Sequence, residues 1–134
     1  KDSRLKNKGV ITVVSDSVSA DYLAYLQSLN VSYLIGGQVN NFNLKEIVKK
    51  LKDKFGIEKI MLQGGGIVNG TFLSADLIDE ISLIIAPIVG GDQTATLFGN
   101  GEYLKAEISP VKYSLTKSEP LTDSGIWLNY HKRK

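Results

Sequence analysis

The sequence predicts an α/β fold. Its first strands should form a parallel sheet through helical crossovers, and its last strands should add an antiparallel extension, making the sheet mixed. Three observations predict this. Apolar, β-branched runs alternate with segments of helical spacing from Val10 to Ala86. The glycine run Gly64-Gly65-Gly66 follows the apolar Ile60-Met61-Leu62 and precedes a short amphipathic segment, an order that reads as strand, turn, helix. The chain closes with two alternating segments, Val111 to Ser118 and Ile126 to Tyr130, and the loop between them, with Pro120, Asp123 and Gly125, suits a hairpin.

In order, residues 1–8 are a polar, basic lead-in. Val10 to Val14 is a buried strand, ended by Ser15-Asp16-Ser17, which offers N-cap candidates. Tyr22, Leu23, Leu26 and Leu29 recur at helical spacing over residues 19–29, with Asn30 as the stop. Val31 to Ile35 is a second strand closed by Gly36-Gly37, and Gln38 to Phe42 is a polar loop. Asn43 caps the next helix, with Glu46 three residues on; Leu44, Ile47, Val48, Leu51 and Phe55 form its apolar stripe. Lys49, Lys50, Lys52 and Lys54 crowd its C-terminal half, where the dipole favours them and solvent covers them, and Gly56 stops it. Ile57 to Leu62 is a third strand, a short helix spans about 67–77, and Ile81 to Ala86 is an apolar strand buried on both faces and ended by Pro87. Ile88 to Gly91 is a turn, and residues 92–110 are a loop. The expected order is therefore β-α-β-α-β-α-β-β-β.

Bulk properties exclude several classes. A chain of 134 residues suits one domain over residues 1–134. A net charge of +2, from 16 basic and 14 acidic residues, is too balanced for a nucleic-acid partner. No cysteine excludes disulfides and thiol chemistry, and a single histidine excludes a His-rich metal site. No run is apolar enough to span a membrane or to act as a signal peptide, so a cytoplasmic location is expected. The first residue is Lys1 and the single methionine is Met61, so a complete unprocessed translation product is not expected.

The glycine run invites two readings. Helix amides and the positive dipole end face such a turn and suit an anionic group such as a phosphate. Alternatively, the glycines only solve a packing problem. In an open α/β sheet, ligands bind where strands end, and Ser15-Asp16-Ser17 and Gly36-Gly37 lie at two other such ends. Together the three turns suit an extended, phosphate-bearing ligand such as a dinucleotide. Known fingerprints fit poorly. For G-x-G-x-x-G, Gly64 and Gly66 match but Asn69 stands at the third position; for the P-loop, Thr71-Phe72 stand in place of Lys-Ser/Thr.

A longer pattern fits. Gln63-Gly64-Gly65-Gly66, then Asn69-Gly70 and Phe72-Leu73, then Asp76-Leu77-Ile78-Asp79-Glu80, then Ile84 to Gly91 with Ala86-Pro87, resembles the reductase domain of riboflavin biosynthesis, the RibD C-terminal family. The resemblance covers roughly residues 10–131 in element order and is specific from Gln63 to Gly91. It implies a three-layer α-β-α, dihydrofolate-reductase-like mixed sheet. It also implies an NADPH-dependent reductase resembling 5-amino-6-(5-phosphoribosylamino)uracil reductase, with hydride passing to a pyrimidine- or pterin-type substrate, and a homodimer. Carried over residue by residue, the cofactor phosphates fall to Gly64, Gly65, Gly66 and Ile67, with Ser15 and Gly36 as weaker cofactor candidates at neighbouring strand ends.

This sequence departs from the family pattern twice. Gln63 stands where the family usually has Glu; an amide hydrogen-bonds but carries no charge, which leaves Gln63 as a candidate substrate contact and the catalytic residues unassigned. Nothing before Val10 matches the further strands and helices with which members begin, so the chain is read as the C-terminal part of a longer reductase, inactive alone. The alternatives are a non-catalytic nucleotide-binding module or a structural fragment of a dimeric reductase-like protein. Among other residues, Asp79-Glu80 are read as a solvated turn, His131 as solvated and Trp127 as a sheet-face residue; Asn69 is either a cofactor contact or a helix-start hydrogen bond. Asp92, Gln93 and Thr94 lie where relatives close over the cofactor.

Overall fold

The computed structural model describes residues 9–90, 96–99 and 110–133. The chain divides into two compact units, Lys1–Met61 and Leu62–Lys134. The fold class is mixed α/β, as expected, with three helices and two three-stranded sheets among the described residues.

The first unit holds β1 (Ile11–Ser15), α1 (Ala20–Ser28), β2 (Ser32–Gln38), β3 (Asn41–Phe42) and α2 (Leu44–Phe55). β1 and β2 pair in parallel from Ile11↔Ser32 to Ser15↔Gly37, with a register shift after Val14. The parallel pairing requires a crossover, which α1 supplies. Ser19 caps α1 by accepting from the Tyr22 amide at 3.2 Å, and Asn30, at φ 54°, turns the chain out of it. Asn43 caps α2 by accepting from the Glu46 amide at 3.1 Å. Gly56 ends α2 at φ 65°, a left-handed position that a β-carbon would strain, and its amide donates to the Lys52 carbonyl. The core of this unit is Val14, Leu26, Leu34 and Ile47. Gly36 is buried among them: a β-carbon there would stand 2.7 Å from Val13 Cγ1 and 2.9 Å from Ile47 Cδ1, so its absence lets α2 approach the sheet. Lys50 Nζ adds a tie to the Ile35 carbonyl at 3.2 Å.

The observed order differs from the expected one in two places. Residues 38–42, read as a polar loop, make a hairpin: Gly37 pairs with Phe42 and Gln38 with Asn41. Asn40 takes φ 59° in its two-residue turn, a conformation Asn tolerates better than most residues. Ile57 to Leu62, read as a strand, is neither helix nor strand. A strand exists only through its ladder partners; Glu58-Lys59 interrupts this apolar run, and the chain passes between the two units at Met61. The order is β-α-β-β-α-α-β-β-β.

The second unit holds α3 (Gly66–Ser74), β4 (Glu80–Ile85), β5 (Tyr113–Pro120) and β6 (Ile126–Lys132). Its sheet is antiparallel, in the order β4-β6-β5. β5 starts two residues later than expected and carries a register shift between Leu115 and Lys117. The hairpin loop closes through the Leu121 amide on the Gly125 carbonyl at 2.8 Å, and a β-carbon on Gly125 would stand 3.1 Å from the Ile85 carbonyl oxygen. β4 is not buried on both faces: Ile81 and Leu83 are half-buried, while Ile84 is 63% exposed. Its neighbour β6 is antiparallel, and such sheets need cover on one face only.

The link from α3 to β4 is clasped to β5 and β6. Lys132 Nζ pairs with the Asp76 carboxylate, the Lys132 amide donates to the Asp79 carbonyl at 2.9 Å, and the Tyr113 hydroxyl donates to the Ile78 carbonyl at 2.9 Å. The Asp76 hydrogen bond holds the Lys132 ammonium above its ordinary pKa, and burial raises the Tyr113 phenol.

Candidate functional site

Residues 63–70 hold five of the expected site residues, Gln63, Gly64, Gly65, Gly66 and Ile67. Gly65 is the N-cap of α3, with extended backbone (φ −74°, ψ 178°) and no capping side chain. Helix geometry leaves the amides of the first turn, Gly66 and Ile67 among them, without intrahelical acceptors. Gly64, Gly65 and Gly66 all keep negative φ, so dihedral freedom is not what requires glycine here.

Space is what requires it, and differently at each position. A β-carbon on Gly64 would strike the Val68 side chain. One on Gly66 would run into the Thr96 carbonyl oxygen, and one on Gly70 into the Gly99 carbonyl oxygen. One on Gly65 would meet nothing among the described residues. The two readings of the run therefore divide by residue: Gly64, Gly66 and Gly70 solve packing, while Gly65 leaves open room at the positive end of a helix.

Segment 96–99 is the element the sequence reading missed. The Gly99 amide donates to the Gly66 carbonyl at 2.9 Å, and Asn69 Nδ2 donates to the Leu97 carbonyl at 3.0 Å. Asn69 is thus neither purely a helix-start group nor free to face outward; its amide holds a distant stretch of chain. The available signal was the i, i+4 spacing of Gly66 and Gly70, which clears one helix face for another backbone.

The remaining site residues fall as follows. Gln63 is exposed immediately before the turn, and Ile67 is exposed in the first turn of α3. Ser15 ends β1 opposite Gly37, its hydroxyl 3.1 Å from that of Ser17, while the Asp16 amide donates to the Gly37 carbonyl at 2.9 Å. Gly36 is buried, its α-carbon face filled by Val13 and Ile47 and its carbonyl taken by the Asn43 amide at 3.0 Å. Ser15 and Gly36 belong to the first unit and the glycine run to the second. Asp92, Gln93 and Thr94 lie outside the described residues.

Glu80, which opens β4, and the imidazole belong to a polar sheet face, while Asp79 precedes the strand. Glu80 accepts from Asn129 Nδ2 at 3.0 Å and faces His131 Nε2 at 3.4 Å. Trp127 is a sheet-face residue, as read: its Nε1 donates to Ser82 Oγ at 2.8 Å, and Lys117 Nζ lies 3.9 Å from its ring centroid. Among the described residues, no helix is long and apolar enough to cross a membrane, and no three acidic or imidazole side chains are grouped to hold a metal.

Comparison with known proteins bears on the family and the fold. The RibD C-terminal domain model matches residues 1–126. The chain is 26% identical over 123 residues to 2,5-diamino-6-ribosylamino-4(3H)-pyrimidinone 5′-phosphate reductase of Methanothermobacter thermautotrophicus, spanning 92% of this chain and 56% of that protein. It is 31% identical over 123 residues to riboflavin biosynthesis protein RibD of Actinobacillus pleuropneumoniae, spanning 90% of this chain and 31% of that protein. Among solved structures, Acinetobacter baumannii RibD superposes with a TM-score of 0.72 at 20% identity, over 98% of this chain and 33% of that one. The chain thus spans about half or less of the length of these relatives. With the family model covering nearly the whole sequence, the chain belongs to the RibD C-terminal domain family.

Proposed function

We propose that this chain is part of an NADPH-dependent reductase acting on a ribosylamino-pyrimidine 5′-phosphate of the riboflavin pathway. The observation that carries this reading is the family match over residues 1–126, joined to the open helix start at Gly65. The fit to a dinucleotide is physical. Among the described residues nothing fills the space at Gly65, and helix geometry leaves the first-turn amides without intrahelical acceptors at the positive end of the dipole, which suits a pyrophosphate.

In this reading the backbone of Gly64, Gly65 and Gly66 and the Ile67 amide hold the cofactor phosphates. Ser15, at the end of the parallel pair in the first unit, carries a hydroxyl and is a weaker cofactor candidate. Gly36 contributes through the close backbone it permits rather than by direct contact, since side chains fill its α-carbon face. When bound there, NADPH would supply the hydride for reduction of the opened ribose carbon of the substrate. Gln63 lies beside the turn and hydrogen-bonds the substrate through its amide, without taking a proton. The whole protein works as a cytoplasmic homodimer in which residues 1–134 form part of one reductase domain.

The test is NADPH titration of the full-length protein, followed by NADPH oxidation with 2,5-diamino-6-ribosylamino-4(3H)-pyrimidinone 5′-phosphate and with the 5-amino-uracil analogue. Saturable binding and turnover of either are expected. Gln63 favours one second reading, a nucleotide-binding module without hydride transfer, which predicts binding and no oxidation with either compound. Absence of NADPH binding would rule out the reductase.

A further inference from the structure

Helix α3 has a peculiar start. No side chain caps it, its first turn has no acidic residue, and its last turn has no basic one. A nine-residue helix with these ends frays unless something outside it holds the first turn. An ordinary N-cap would occupy the amides of the second or third residue, the groups an incoming phosphate needs.

Segment 96–99 supplies the missing restraint from the side. Gly66, Asn69 and Gly70 share one face of α3. On that face the Thr96 and Gly99 carbonyls occupy the space of absent β-carbons, the Gly99 amide holds the Gly66 carbonyl, and Asn69 Nδ2 holds the Leu97 carbonyl. Every one of these bonds uses carbonyls of α3 or of the strap, and none uses a first-turn amide of α3. Among the described residues, the strap therefore orders the helix start without using its donors.

We infer that Asn69 is a positioning residue for the phosphate-binding turn: by holding Leu97 it keeps segment 96–99 seated on α3 and the Gly65–Ile67 amides ready for an anionic dinucleotide. This rests on the reductase reading above. Asn69 touches no ligand itself; it acts through the strap.

The experiment uses the full-length protein, with NADPH as the probe. In Asn69→Ala, the dissociation constant and KM for NADPH are expected to rise about three- to tenfold, the range lost with one hydrogen bond, while kcat stays unchanged. Asn69→Gln, which keeps a donor, should recover part of the loss. Folded Asn69→Ala protein that binds NADPH as tightly as wild type overturns the inference. If Asn69→Ala does not fold, hydrogen exchange in the wild type decides. The Gly99 amide should become better protected when NADPH is added, and unchanged protection overturns the inference. Wild-type protein that binds no NADPH overturns the reductase reading itself, and this inference with it.

Discussion

Helix α2 begins on Asn43, whose side chain takes the Glu46 amide, and ends on Lys52, Lys54 and the left-handed Gly56. Helix α3 begins on Gly65, which has no side chain to offer, and carries no charge in either terminal turn. One helix is finished by its own side chains. The other is held by a strap of backbone seated on glycine positions. The difference separates a helix that only has to be stable from one whose N-terminus is kept available. A capped start spends its amides on the protein itself, whereas a strapped start keeps them for a ligand.

The contrast can be broken at either helix. The largest effect is expected in the core under α2: Ile47→Ala empties a buried site against Gly36 and Val13 and should cost about 2–5 kcal/mol in urea unfolding. Next is Gly65→Asp, which gives α3 the kind of cap α2 has. It should leave thermal stability unchanged or slightly raised, while weakening NADPH binding by about tenfold or more, because a carboxylate then occupies the anion's place. Unaltered NADPH affinity would show that the phosphates lie elsewhere. Asn43→Ala should cost about 1 kcal/mol with no effect on NADPH binding, since that cap serves the helix alone.

The smallest effect concerns the clasp behind α3. The fold raises the pKa of Lys132, through Asp76, and that of Tyr113, through burial. Groups raised in the folded state stabilise it below their unfolded pKa, and that contribution is lost as pH rises through the raised value. Stability should therefore fall above about pH 10, and Lys132→Met should flatten that alkaline limb in pH-dependent thermal melts with little change at neutral pH.

Helix α2 was fully legible in the sequence because each of its signals is a side chain: the Asn43 cap, the Leu44 to Leu51 stripe, the terminal lysines and Gly56. The alternating strands β5 and β6 were legible for the same reason, with a two-residue shift at the start of β5. What escaped depends on pairing across the chain. The two-residue strand β3 is too short to show a period, and its turn lacks the Asn-Gly signature. Ile57 to Leu62 has strand-like composition, but composition does not provide a ladder partner. At the site, the run Gln63 to Gly70 identified the turn, yet the separate reason for each glycine could not be read locally. Those at Gly66 and Gly70 lie 30 and 29 residues further along, at Thr96 and Gly99. Asn69 was noticed as a polar residue near a helix start; its partner, Leu97, is visible only in three dimensions.

Trp127 is the chain's only tryptophan, and its ring is set between the hydroxyl of Ser82 and the ammonium of Lys117. It lies in the second compact unit, whereas Tyr22, Tyr25 and Tyr33 lie in the first. The protein therefore carries its own optical label on one unit. Indole emission reports the β4-β6-β5 sheet, and far-ultraviolet ellipticity is weighted toward α1 and α2. Following both through one denaturant titration measures whether the two units melt together, with no dye and no added chromophore.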